Sequence, residues 1–181
     1  MRLLHLAAWA LCAAAVPAAA QETGNAAERL INDPRVEALQ PYGQPIPPVV
    51  RGDKGVQFGK ALRVRLKGSK DFWRVGVITP VLKPVKKGDR IVIAFWAKAS
   101  GTENGAPGRI GRVQLEATPV IRTIFEQAFD IGPEWKMYQF EGVADRDYAP
   151  RTLNAAMHLD SAKQVLDIGP LFVVNYGQSG G

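Results

Sequence analysis

The sequence predicts an all-β fold, a jelly-roll β-sandwich of two antiparallel sheets. Short runs rich in β-branched and aromatic residues recur along the chain, Gly- and Pro-containing turns separate them, and helical periodicity is almost absent. The clearest run is 61–67, which alternates strictly, with Leu62, Val64 and Leu66 on one face and Arg63, Arg65 and Lys67 on the other. That is the pattern of a half-buried strand. Further strands are expected at 73–81, 90–99, 110–117, 121–129, 135–143, 153–160 and 165–174. Turn chemistry lies between them at 67–70, 86–89, 101–108, 132–133 and 145–150. Strands at this spacing fit a sandwich or jelly roll. Residues 26–31 read as a loop entering the first strand. Residues 40–55, with four prolines and three glycines, read as a long surface loop. Residues 177–181 read as a flexible tail. There is no internal repeat.

Residues 1–20 read as a secretory signal peptide: Arg2 gives the positive start, 3–16 the short apolar stretch, and 17–20 the small-residue cleavage pattern before Gln21. The apolar run is short for a membrane span, and no later segment approaches that length. An exported protein, secreted or periplasmic, is therefore expected. Removing the leader removes Cys12 and His5, which excludes a disulfide framework and thiol chemistry and leaves His158 as the one histidine. Roughly 160 remaining residues suffice for one domain with a real core, expected over 21–176 and as a monomer.

The whole chain carries 23 Lys and Arg against 17 Asp and Glu, a net charge of +6. Loss of Arg2 lowers it by one. The basic residues are scattered, apart from the Lys83–Lys87 stretch, so no nucleic-acid partner is expected. A single histidine cannot build a His-rich metal site, and no G-x-S-x-G elbow accompanies it.

Three strands place a polar row outside an apolar row. Over 111–117, Val113 and Leu115 face the core and Arg112, Gln114 and Glu116 face out. Over 153–160, Met157 and Leu159 face in and Asn154, His158 and Asp160 face out. Over 121–129, Ile121, Phe125 and Phe129 face in and Arg122 and Glu126 face out. Such a face is either a ligand groove or an ordinary solvated surface. Neutral sugars are held by stacking on aromatic rings, with planar polar side chains bracketing the hydroxyls. Trp73 is a stacking candidate if it stands at the cleft edge, whereas its phase with Val75 and Val77 would put it inside. Trp96 floors the groove or fills the second layer, and Tyr42 is a further stacking candidate. Trp135, Tyr138 and Phe140 read as core and rim.

Several motifs occur in an order that resembles the family 4, 9 and 22 carbohydrate-binding modules, which have a galactose-binding-like jelly roll. These are Leu-Ile-Asn-Asp-Pro-Arg-Val-Glu at 30–37, Gly-Lys-Ala-Leu-Arg-Val at 59–64 and Asp-Phe-Trp-Arg-Val at 71–75. The Lys-Lys-Gly-Asp turn at 86–89, Phe-Trp-Ala-Lys-Ala at 95–99, Glu-Trp-Lys-Met-Tyr-Gln-Phe at 134–140 and Val-Leu-Asp-Ile-Gly-Pro at 165–170 follow. The resemblance spans about residues 28 to 176, with two departures: Val36 stands where relatives have Phe, and Asp167 stands alone where many have a pair of Asp. It implies noncatalytic binding of a polysaccharide or oligosaccharide, a β-glycan such as xylan or β-glucan, along a sheet face. The candidate ligand-binding residues are Gln114, Glu116, Arg122 and His158 from the outward rows, and Trp73, since relatives stack sugar on a tryptophan at its position. It also implies a structural calcium between an early Glu and a late Asp, here Glu37 and Asp167. Calcium wants about six to eight oxygen ligands, and a salt bridge to an arginine is the alternative for either residue. The rival functions are a structural or protein-interaction sandwich, and a small polysaccharide lyase or glycosidase. Glu116 with Glu126 supplies the paired acids a glycosidase needs.

Overall fold

The structure, a computed structural model, describes residues 26–44 and 46–178; the signal peptide expected at 1–20 and residues 179–181 lie outside them. Ten strands are present among the described residues. They are β1 Gln40–Tyr42, β2 Val49–Gly52, β3 Lys60–Lys67, β4 Gly76–Pro80, β5 Asp89–Ser100, β6 Gly108–Ala117, β7 Arg122–Ile131, β8 Lys136–Val143, β9 Leu153–His158 and β10 Lys163–Gln178. They form two five-stranded sheets, β1-β4-β9-β6-β7 and β2-β3-β10-β5-β8. Every pairing is antiparallel. This is the predicted sandwich. No helix among the described residues is long and apolar enough to cross a membrane.

Period-two alternation builds the core. In β5, Ile91, Ile93, Phe95, Ala97 and Ala99 point between the sheets and are buried. The facing sheet answers with Val77 on β4, Val113 and Leu115 on β6, and Leu153, Ala155 and Met157 on β9, all without solvent exposure. Stacked and edge-on rings fill one end: Phe95 lies 5.6 Å from Tyr138 at an interplanar angle of 18°, and Phe129 meets Phe95 edge-on at 5.2 Å. Edge-to-face and offset rings of this kind add to the apolar burial. Pro170, which has no N–H to give a ladder, falls in β10 at the register shift between Ile168 and Leu171, where a bulge tolerates it.

Several elements differ from the sequence reading. The segment 40–55, expected as a loop, holds the short strands β1 and β2. Each pairs on one side only, and an edge strand tolerates proline, as at Pro41 opposite Val77. Residues Ala26–Arg29 form a helical turn instead of a loop, and Leu30 bridges to Val174. Buried Asn32 ties this segment down: its amide donates to the Leu171 carbonyl at 2.9 Å, and its oxygen accepts from the Val173 N–H at 2.8 Å. Trp73 does not begin a strand. It sits in a 3-10 turn, Phe72–Arg74, and β4 starts at Gly76. β9 stops at His158, and β10 continues to Gln178, two residues into the segment read as tail.

Phe95→Ala removes a fully buried ring from the centre of this core, so unfolding by urea should show a loss of about 3–5 kcal/mol. A loss below about 1 kcal/mol would mean the ring contributes little to the packing.

Candidate functional site

The outer face of the sheet β1-β4-β9-β6-β7 carries a groove of about 500 Å³. Its floor comes from Gln114 and Glu116 on β6, Asn154 and His158 on β9, Ile78 on β4 and Thr123 on β7. Tyr42, Trp73, Arg112 and Ile121 complete the wall. The floor follows from the core: because Val113 and Leu115 are turned inward, Arg112, Gln114 and Glu116 must turn outward. β9 lies in register with them, pairing Arg112 with His158 and Glu116 with Asn154. Four of the five sequence-predicted binding residues, Trp73, Gln114, Glu116 and His158, are thus brought together.

Arg122 is not. Between Leu115–Phe125 and Glu116–Thr123 the register shifts by one, so Ile124 is an extra residue on β7. The bulge reverses the phase of the strand. Thr123 takes the groove side, and Arg122 crosses to Asp145 at 2.9 Å and hydrogen-bonds the Tyr148 hydroxyl. The same reversal turns Ile121, expected inside, out to the groove rim. Asp160, placed by alternation in the polar row, instead accepts the Gly68 N–H at 2.9 Å. Trp96 stands on the outer face of the other sheet, away from the groove, because Phe95 and Ala97 beside it are the inward residues of β5. Ile78 and Thr123 are groove residues that the sequence reading missed. Ile78 lies in phase with the polar row, but only the strand pairing reveals it.

The floor is hydrogen-bonded before any ligand arrives. The Thr123 hydroxyl donates to the Gln114 carbonyl oxygen at 2.9 Å, and the Gln114 amide donates to the Glu116 carboxylate. Gln114 and Glu116 are 2% and 5% exposed, so both are held rigidly. Glu116 has no cationic partner among the described residues and retains acceptor capacity. At the wall, Trp73 is 49% exposed. Phe72 meets it edge-on, with centroids 5.4 Å apart. Arg112 lies over the other ring at 5.6 Å and pairs with Glu126 at 2.9 Å. Trp73 is therefore an exposed ring on a braced support.

Tyr42 reaches into the groove and its hydroxyl lies 2.7 Å from His158 Nδ1. Gly76 makes this possible: a Cβ there would sit 2.3 Å from the Tyr42 hydroxyl oxygen. Burial, and then the nearby Glu116 charge, push the Tyr42 hydroxyl further toward its protonated form. Burial first, and Arg112 second, hold His158 below its ordinary value of 6.5. Both shifts favour the uncharged forms, so a neutral phenol and a neutral imidazole share this hydrogen bond.

The two residues expected to hold calcium each carry an ion pair. Glu37 holds Lys60 at 2.6 Å, and Asp167, almost fully buried, takes the Arg63 guanidinium through two bonds of 2.7 Å. Each carboxylate already has its cation, and no group of three or more His, Cys, Asp or Glu able to hold a metal occurs among the described residues.

No family model matches the sequence, and no curated protein does. Solved structures do. One is a family 4 carbohydrate-binding module, with a TM-score of 0.59 and 15% identity over 77% of this chain and 95% of that one. A second is a family 22 xylan-binding domain of Paenibacillus barcinonensis Xyn10C, with a TM-score of 0.55 and 12% identity over 84% and 94%. A third is the N-terminal cellulose-binding domain of Cellulomonas fimi β-1,4-glucanase C, with a TM-score of 0.55 and 17% identity over 82% and 94%. The chain has the jelly-roll fold of these modules.

Because the folded-state His158 value lies below the unfolded one, its contribution to stability is complete above pH 6.5 and is lost as pH falls below it. Thermal melts across pH 7 to about 5 should decline more for the wild type than for His158→Gln. Parallel curves would show that His158 is not held neutral.

Proposed function

We propose that the groove binds a polysaccharide or oligosaccharide without cleaving it, the ligand being a β-glycan such as xylan or β-glucan. The observation that carries this reading is the half-exposed Trp73 standing beside a buried, already hydrogen-bonded polar floor. A sugar ring presents an apolar face and a rim of hydroxyls. Stacking on an indole satisfies the first, and Glu116, Gln114 and Asn154 offer acceptors and donors to the second. The fold is shared with modules described as xylan-binding and cellulose-binding, which supports the same ligand class here. With the signal peptide read at 1–20, the module would work outside the cytoplasm, secreted or periplasmic, as a monomer.

The Tyr42–His158 pair is the one arrangement that favours a second reading, β-elimination on a uronate polymer. A lyase needs a phenol or imidazole free to take and return protons near pH 7. Here burial raises the phenol, and its hydroxyl is already engaged by His158 Nδ1. Incubation with alginate or pectin should therefore give no unsaturated products. Turnover that vanishes in Tyr42→Phe would establish the lyase instead.

Trp73→Ala should weaken glycan binding about tenfold, since one stacked ring is worth on the order of 1–2 kcal/mol. Its melting temperature should hardly move, because the ring is half exposed. Gln114→Ala should weaken binding less, as one hydroxyl hydrogen bond nets about 1 kcal/mol. Calorimetric titration and thermal melts check both. Unchanged affinity in a normally folded Trp73→Ala protein would take the ring out of the site.

A further inference from the structure

Beside the groove, at the end of the sandwich, a cavity of about 490 Å³ opens where the 118–121 turn faces the segment 146–152. Arg122 and Tyr148 line it, as does Arg146. Arg122 is neutralised by Asp145 at 2.9 Å, and Asp147 is matched by Lys86 at 3.0 Å. Tyr148 first, and Arg122 second, hold the Asp145 carboxyl down at about 2, so that pair stays ionised on both sides. Arg146 is the cation left over, with no carboxylate in ion-pairing distance among the described residues. Its Nε rests on the Tyr148 hydroxyl at 3.4 Å, and its guanidinium lies 5.7 Å from the centre of that ring. The two terminal amino groups have no acceptor among the described residues. A guanidinium steadied in this way, with its outer edge open, suits a carboxylate, which it meets through two parallel hydrogen bonds.

The cavity adjoins the groove twice over: Val120 lines the cavity and Ile121 the groove, and Ala117 lines the cavity and Glu116 the groove. Successive Cα atoms are about 3.8 Å apart, so the two linings meet at residues 116–117 and again at 120–121. The groove floor itself carries the uncompensated Glu116 carboxylate, which repels an anion. Charge thus sorts the ligand, with neutral sugar on the floor and the acid at the end. We propose that the cavity is a subsite for the carboxylate of a uronic acid unit, with Arg146 as its ligand, on a glycan whose neutral backbone lies in the groove. This rests on the groove reading above.

The test compares matched polymers, unsubstituted xylan with glucuronoxylan and hydroxyethyl cellulose with carboxymethyl cellulose, by affinity electrophoresis and calorimetry at low salt. The acidic member of the bound pair should bind about threefold to tenfold more tightly. That margin should shrink as salt shortens the screening length to about 3 Å at 1 M. Arg146→Ala, at an exposed position, should leave neutral binding unchanged and abolish the margin. Equal affinity of the wild type for both members, or a margin that survives in Arg146→Ala, overturns the subsite while leaving the groove intact. Failure to bind any of the four polymers removes the groove reading, and the subsite with it.

Discussion

The register between β6 and β9 is the constraint on which the site depends. Both strands must bury one row, Val113 and Leu115 on β6, and Ala155 and Met157 on β9, none of which touches solvent. A slip of β6 by one residue would send Gln114 and Glu116 into the core and leave Val113 and Leu115 in water, and the same slip of β9 would bury His158 and expose Ala155 and Met157. The core and the groove are therefore two faces of one requirement. The hydrophobic energy that holds the sandwich together also fixes where each groove residue stands. Neither strand has freedom to adjust, which is why Gln114 and Glu116 can be buried and oriented without a ligand.

That coupling explains what was legible in the sequence. Strict alternation exposes the strand phase, so β3, β6 and β9 and their outward residues could be read directly. Alternation fails where a strand carries an extra residue. Nothing local marks Ile124 as a bulge; it pairs with no residue of β6 because the register on either side of it is set by long-range contacts. Arg122 and Ile121 were misplaced together for that single reason. Tyr42 was visible as an aromatic residue in a proline-rich stretch, but its position over His158 depends on β1 pairing with β4 and on the missing side chain at Gly76. The carboxylates Glu37 and Asp167 were readable as acids, but their ion-pair partners Lys60 and Arg63 are distant in sequence. Asp167 and Arg63 are direct partners across β3 and β10, a pairing no linear pattern announces.

The groove and the end cavity, whose linings adjoin at residues 116–117 and 120–121, differ in their charge. Within the groove, Arg112 is spent on Glu126 and Glu116 stands alone, so the floor presents acceptors to hydroxyl donors. At the cavity, Asp145 and Asp147 are already paired, and the surplus is positive. The β7 bulge produces this division, because it removes Arg122 from the groove and delivers it to the cavity wall. Without that extra residue, a guanidinium would hang over the groove floor and compete for Glu116.

The placement of Trp73 on a turn follows from the same economy of surface. A tryptophan in phase with the inward row of β4 would be swallowed by the core, beside Val75 and Val77, which are nearly or fully buried. The 3-10 turn before the strand breaks that phase and lets the indole stand free. A free ring binds well only if it does not have to be ordered on contact. Here the ordering is built in: Phe72 meets it edge-on, and Arg112 covers Phe72 while Glu126 anchors the guanidinium. The brace thus runs from the exposed ring back to a pair of side chains on β6 and β7. The stiffness of the sheet is carried to the exposed ring at the groove wall.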